Sequence, residues 1–267
     1  MDSALLFLKL GGSLITDKAA ARTARRDVLR RIAGEIAQAR KAEPSLRLVL
    51  GHGSGSFGHS EAVRHGTAAG VRSAQDWRGF CEVWQAADAL NRIVMDGMAE
   101  AGLPVIRFAP SAAAVMEDGE LSWFSVEPIQ KALDAGLIPM VFGDVVFDRL
   151  RGGGIASTET VFASLASALH PEKILLAGSD PGVYADYPAG RTVLPRLCAG
   201  DWEATRSGVR GSAHADVTGG MRSKVRGMLA LIQREDNLRA FVFSGVEEGA
   251  IRRALLGEEV AGTWLEK

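Results

Sequence analysis

The chain has 267 residues, with 31 basic and 32 acidic side chains and a net charge of −1. That balance excludes a protein held on nucleic acid or on an anionic membrane by bulk charge. With 47% apolar and 24% charged residues, it is too apolar for disorder. The longest run free of Asp, Glu, Lys and Arg, Leu48 to Ser60, has 13 residues and is rich in Gly, Ser and His, so no segment can span a bilayer. The opening MDSALLFLKLGGS lacks the basic region and cleavage site of a secretory signal, and a cytoplasmic location is expected. Cys81 and Cys198 lie far apart without a CxxC, which predicts two free thiols.

Short apolar runs bounded by Gly, Pro or Ser predict buried strands at Ala4 to Leu8, Leu46 to Leu50, Pro104 to Phe108, Ile138 to Phe142, Ile174 to Ala177 and Ala240 to Phe243. Helical patterns fall between them. Asp27 to Lys41 carries Val28, Ile32, Ile36 and Ala39 on one face, and Ser73 to Ala101 carries Val83, Ala87, Leu90 and Val94. Val161 to Leu169, Met221 to Arg234 and Glu247 to Leu256 follow, while the polar, Pro- and Gly-broken stretch Tyr184 to Asp216 reads as hairpins or surface excursions. The alternation predicts an α/β protein, an open αβα sandwich with a mainly parallel central sheet, whose ligands gather outside the carboxyl ends of the strands.

The 31 glycines exceed ordinary usage and cluster at Gly11-Gly12, Gly51 to Gly58, Gly152 to Gly154 and Gly219-Gly220. Such clusters beside strands predict backbone turned tightly around a ligand. In Leu48-Val-Leu-Gly-His-Gly-Ser-Gly-Ser-Phe-Gly-His59, several N–H groups can converge on one anion at a helix start. Its Gly53-x-Gly55-x-x-Gly58 matches the dinucleotide fingerprint, but no second strand ending in an acid follows. Only seven residues are Lys, and Lys9, Lys18 and Lys224 belong to or follow glycine-rich turns, as a phosphate site requires. Neither a Walker lysine nor the HRD and DFG signatures occur. Asp144 and Asp180 close predicted strands. Ser157-Thr158-Glu159 starts a helix, where capping and ligand contact are equally open.

In order along the chain, Lys9-Leu-Gly-Gly-Ser-Leu-Ile-Thr-x-Lys18, Gly55-Ser-Phe-Gly-His59, Gly143-Asp-Val-Val-Phe-Asp148, Ser179-Asp-Pro-Gly-Val-Tyr184, Asp216-Val-Thr-Gly-Gly-Met221 and Gly262-Thr263 resemble the amino acid kinase superfamily, and within it the isopentenyl phosphate kinases. The resemblance implies ATP- and Mg²⁺-dependent phosphorylation of isopentenyl phosphate in isoprenoid precursor synthesis. It implies a homodimer with no nucleic-acid or membrane partner. Residues 1–170 would bind the acceptor and residues 171–267 the ATP. Lys9, Lys18 and His59 would be catalytic. Gly53, Ser54, Gly55, Gly58, His59, Gly143 and Thr158 would hold the acceptor. Lys9, Gly11, Gly12, Ser13, Asp180, Tyr184, Gly220 and Lys224 would hold the nucleotide, and no side chain is assigned to the metal. Ser54 and Ser157-Thr158-Glu159 depart from the Gly and Ser-Gly-Asp common in relatives.

Two further readings stay open. Another small-molecule kinase of this superfamily could take a phosphonate, a nucleoside monophosphate or a carboxylate, the last with Arg64, Arg72 or Arg107 as a clamp. A non-catalytic nucleotide-binding regulatory domain is the other, although both Lys9 and Lys18 are present. The Val83, Ala87, Leu90 and Val94 face could line a prenyl slot or belong to the core.

Overall fold

The structure, a computed structural model, describes residues 4–186, 190–205, 208–209 and 220–267, with the His59 side chain outside the description. In chain order the elements are β1 (Leu5–Leu10), α1 (Gly12–Ile15), α2 (Arg26–Ala42), β2 (Arg47–His52), α3 (Gly55–His65), α4 (Ala74–Glu100), β3 (Val105–Arg107), α5 (Pro110–Ala113), β4 (Ala114–Glu117), β5 (Glu120–Phe124) and α6 (Glu127–Asp134). There follow β6 (Ile138–Phe142), β7 (Asp144–Asp148), β8 (Gly152–Ala156), α7 (Thr158–Leu169), β9 (Lys173–Gly178), β10 (Arg196–Cys198), α8 (Trp202–Thr205), α9 (Gly220–Arg234), β11 (Arg239–Ser244), α10 (Ala250–Leu255) and β12 (Gly262–Glu266).

Eight strands form one sheet in the order β10-β12-β11-β9-β1-β2-β6-β3. All neighbours are parallel except β11 and β12. The central strands are apolar on both faces because both are covered. Leu6, Leu8 and Leu10 of β1 pack with Ile32 and Ile36 of α2, Leu90 and Val94 of α4, and Ile251 of α10. Leu5 and Phe7 pack on the opposite side with Ile129 of α6, Phe162 and Leu165 of α7, and Met228 and Ile232 of α9. The expected αβα sandwich is therefore present. The six predicted strands match six observed ones within two residues at each end; β1 runs on to Leu10 and so contains Lys9. The sheet runs without a break across the expected boundary at residue 170, since β1 pairs with both β2 and β9.

A second sheet, β5-β4-β7-β8, was not predicted. It corrects the expectation for Gly152 to Gly154, which build strand β8 and not a ligand turn. A Cβ on Gly153 would stand 2.7 Å from the Phe80 ring, and one on Gly152 (φ +77°) would stand 2.1 Å from the Val71 carbonyl oxygen. Those glycines serve close packing against the α4 region. Cys81 and Cys198 are free thiols, as expected.

Long helices have local starts. Ser73 accepts from the Asp76 amide while Asp76 accepts from the Ser73 amide, a capping box that begins α4. The α10 N-cap is Gly249, which has no side chain to offer. Buried Glu35 of α2 does that work across the interface, accepting from Ile251 N at 2.9 Å and Arg252 N at 3.3 Å, and it pairs with Arg31 at 2.5 Å. Glu35→Ala should destabilise the fold by about 2–4 kcal/mol, because it orphans two amides and takes from Arg31 its carboxylate partner, leaving that side chain only the Gly245 and Glu247 carbonyls. Urea unfolding checks this; a change under 1 kcal/mol would show that water replaces the carboxylate.

Candidate functional site

The parallel strands β1, β2, β6 and β9 end at one edge of the sheet, and the glycine loops after β1 and β2 touch there. A Cβ on Gly12 would lie 2.4 Å from the Gly55 amide nitrogen, and one on Gly53 would lie 3.0 Å from the Gly12 amide nitrogen and 3.9 Å from Lys9 Cε. Gly55 has φ +48°, a left-handed conformation that suits glycine. Thr16 ties the two loops, its Oγ1 donating to Gly12 O at 2.6 Å and accepting from Ser56 N at 3.0 Å. A Cβ on Gly58 would meet the Ser54 side chain at 2.7 Å. Among the described residues the amides of Gly12, Ser13, Ser54 and Gly55 donate to no protein acceptor, and neither Gly11 nor Ser54 caps its helix with a side chain. Two uncapped helix starts facing each other form a cradle for anionic oxygen.

Lys9 is buried at the floor of this cradle and its ammonium pairs with Glu159 in the first turn of α7. Burial pushes the Glu159 carboxyl up, but the charges of Lys9 and Lys224 and the Lys9 hydrogen bond outweigh it and hold it below its usual range. Glu159 thus pairs with Lys9 and feels the charge of Lys224 through space. Sequence reasoning saw Glu159 only as a favourable charge at a helix start. The usable signal was an acid opening a helix beside a lysine-bearing strand end. Lys18 is exposed on the loop after α1. That loop borders α3, since Arg22 N donates to Ser56 O at 3.1 Å. His59 lies on α3 four residues past the loop's Gly55.

The end of β2 is fixed by β6 and α7. The His52 carbonyl accepts from Gly143 N at 3.2 Å and from Thr158 Oγ1 at 2.6 Å. The hydroxyl proton of buried Thr158 is committed there, so the Thr158 side chain anchors the loop. His52, given no role from sequence, is fully enclosed. Its ring stacks on Phe142 at 5.4 Å, and its nitrogens meet Gly53 O at 3.2 Å and Asn91 Nδ2 at 3.0 Å. Burial lowers its pKa to about 4, helped by the Lys9 charge and opposed by the Gly53 carbonyl. Nearby Asp144 is pushed up to about 6 by burial, against hydrogen bonds from Ser111 and Val145.

On the other side, Gly11 N donates to Ala177 O at 2.7 Å, and a Cβ on Gly11 would meet that oxygen at 3.0 Å. Ser179 Oγ donates to Ser13 Oγ at 3.1 Å, which sets Asp180, exposed at the end of β9, beside the first glycine loop. Tyr184 bridges Val193. Thr263 of β12 holds this rim, accepting from Val183 N at 2.8 Å and donating to Leu194 O at 2.5 Å. Gly220 opens α9 with φ +66°. Residues 216–219 of the expected Asp216 to Met221 motif, and part of the Tyr184 to Asp216 excursion, lie outside the described residues.

The two shifted groups act on stability with opposite sign. Between about pH 6.5 and 4 the unfolded chain binds a proton at His52 that the native state refuses, so stability falls as pH falls. Between about pH 6 and 3.8 the native state binds a proton at Asp144 that the unfolded chain has released, so stability rises as pH falls. Each effect is on the order of 3 kcal/mol. Asp144→Asn should therefore lose stability more steeply than the parent between pH 6 and 4, and His52→Gln less steeply. Urea titrations across that range that run parallel for all three proteins would contradict both assignments.

The sequence pattern of the amino acid kinase family matches residues 4–244. The chain is 34% identical to the isopentenyl phosphate kinase of Methanothermobacter thermautotrophicus, over 97% of this chain and 98% of that one. It is 36% identical to the isopentenyl phosphate kinase of Haloferax volcanii, over 93% and 98%. A solved structure described as isopentenyl phosphate kinase superposes with a TM-score of 0.82 at 30% identity, over 98% of this chain and 99% of that one. Sequence, full-length coverage and three-dimensional likeness agree, and the chain belongs to the amino acid kinase family, among its isopentenyl phosphate kinases.

Proposed function

We propose that the chain moves the γ-phosphoryl group of ATP onto isopentenyl phosphate, giving isopentenyl diphosphate and ADP. The observation that carries this reading is the pair of touching glycine loops with free amides over buried Lys9. An acceptor phosphate already presents an anionic oxygen, so no strong base is needed. The task is to bring two anions together in line and to neutralise the charge between them. On this reading Gly53, Ser54, Gly55, Gly58 and Gly143 surround the acceptor phosphate, with Thr158 bracing them and His59 donating from α3. Gly11, Gly12 and Ser13 contact the transferring end of the nucleotide, and Asp180, Tyr184 and Gly220 its remainder. Lys9 and Lys224, spaced by Glu159, offset the charge that develops on the phosphoryl oxygens, and Lys18 closes over them from its loop. Residues 1–170 then serve the acceptor and 171–267 the nucleotide.

The residues fit a nucleotide's phosphates, since the amides of Gly12 and Ser13 donate to no protein acceptor among the described residues. Mg²⁺ would supply further charge neutralisation when bound, and Glu159 is already committed to Lys9. Beyond the loops, Ala62, Val71, Phe80, Val83 and Val145 form a small, packed apolar cluster separate from the main cores, against whose outer side a short prenyl tail would lie. Leu90 and Val94 belong instead to the core under the sheet. For a carboxylate acceptor, Arg64 is paired with Glu61 and Glu82 and Arg107 with Asp88, which leaves exposed Arg72 as the remaining clamp candidate. No described helix is long and apolar enough to cross a membrane. A cytoplasmic homodimer completes the proposal, with exposed Trp77, Phe147 and Leu150 offering apolar surface for pairing.

ATP consumption should be measured with isopentenyl phosphate, dimethylallyl phosphate, fosfomycin, N-acetylglutamate and UMP. Turnover is expected with the prenyl phosphates; turnover confined to the last three would overturn the proposal. Glu159→Gln should lower kcat by about 10²-fold with little change in acceptor KM, as expected for loss of a group that aligns two transition-state cations. Steady-state kinetics check this, and an unchanged kcat would remove Glu159 from the machinery.

A further inference from the structure

We propose that Asn91 and His52 form a relay that sets the direction of the Gly53–Ser54 peptide and so aims the Ser54 amide at the acceptor's phosphate. The proposal deepens the acceptor reading above and rests on it. It starts from a loop that should be loose. Gly53 has no side chain to restrict its backbone, and the peptide that follows it could turn over without disturbing β2. One contact stops it: His52 Nδ1 lies 3.2 Å from Gly53 O.

A carbonyl oxygen can only accept, so Nδ1 carries the proton. Burial keeps the ring neutral, as its pKa of about 4 requires, and a neutral ring then has a bare Nε2. Asn91 Nδ2 stands 3.0 Å from that nitrogen and donates to it. The amide cannot be reversed, because Asn91 Oδ1 would then face the Nε2 lone pair. Its orientation leaves Oδ1 buried with no partner among the described residues, a state that ordinarily costs about 1–3 kcal/mol. A buried polar atom left unsatisfied calls for a compensating role, and fixing the imidazole tautomer supplies one.

The consequence follows from peptide geometry. In a trans peptide the N–H points opposite to the C=O. Drawing Gly53 O inward to His52 turns the Ser54 N–H outward, and that amide has no protein acceptor among the described residues. The other hydrogen bonds at this point, from Thr158 and Gly143 to the His52 carbonyl and from Gly53 N to Leu10 O, hold the preceding peptide, those from Phe57 N and Gly58 N to Ser54 O hold the following one, and the Gly53–Ser54 unit between them is left to the imidazole. Asn91 and His52 are positioning residues, since neither faces the reacting atoms.

The test separates positioning from packing. His52→Leu keeps apolar volume against Phe142 but removes the donor. His52→Asn loses volume but keeps an N–H near the place of Nδ1. The relay predicts that His52→Leu raises the acceptor KM about tenfold, with ATP KM unchanged, and that His52→Asn recovers most of the loss; Asn91→Leu should raise the same KM. Packing alone predicts the reverse order, and Leu performing as well as Asn would overturn the proposal. Nitrogen NMR of the unmodified protein, with the His52 signals assigned through the contacts of its ring with the stacked Phe142 ring, decides even where a variant does not fold. The Nδ1–H tautomer is expected at neutral pH, and the Nε2–H tautomer would refute the relay. A parent protein that turns over no phosphate acceptor would sink the functional reading instead, with the tautomer still judging the relay's geometry.

Discussion

Everything at the strand-end edge depends on how closely two stretches of backbone approach. Gly12 and Gly55 leave no room for a Cβ between them, and this contact is what lets the free amides of two loops converge. Side chains there would push the loops apart and turn a cradle into two separate turns. The approach is held from outside by Thr16, which bonds to both loops, and from beneath by β1 and β2, which pair along their full length. The core's contribution to function is therefore geometric: a sheet covered on both faces keeps the two strand ends at a fixed separation.

Charge is arranged on the same logic. A lysine as buried as Lys9 needs a counter-ion, because an isolated buried ammonium is strongly unfavourable. Glu159 provides it and also attracts Lys224 from the other half of the chain.

The parallel core was legible because its strands are short apolar runs and its helices show a clear apolar face. The glycine loops were legible because phosphate chemistry demands that composition. What could not be read was tertiary. The strands of the second sheet are short and mixed in burial, as with Glu120–Phe124, so they carry no clean alternation. Gly152 to Gly154 looked like a ligand turn because a glycine that admits a neighbouring ring and a glycine that admits a phosphate leave the same mark in a sequence. His52 and Asn91 stand 39 residues apart, and no spacing rule joins a strand end to the middle of a helix. Glu159 was visible, but its partners lie on two other elements, so only the fold could assign it to them.

Thr263 adds a constraint of another kind. It reaches back 80 residues to hold the Val183 amide and fixes Leu194 as well. During synthesis, every strand of the first half and both glycine loops leave the ribosome before that threonine has been translated. A nascent chain can thus assemble one side of the cleft while the opposite rim still lacks its clasp. A chain cut short before Thr263 would leave the Val183 amide and the Leu194 carbonyl without that shared hydroxyl, so damage at the far end of the message reaches the rim of the cleft.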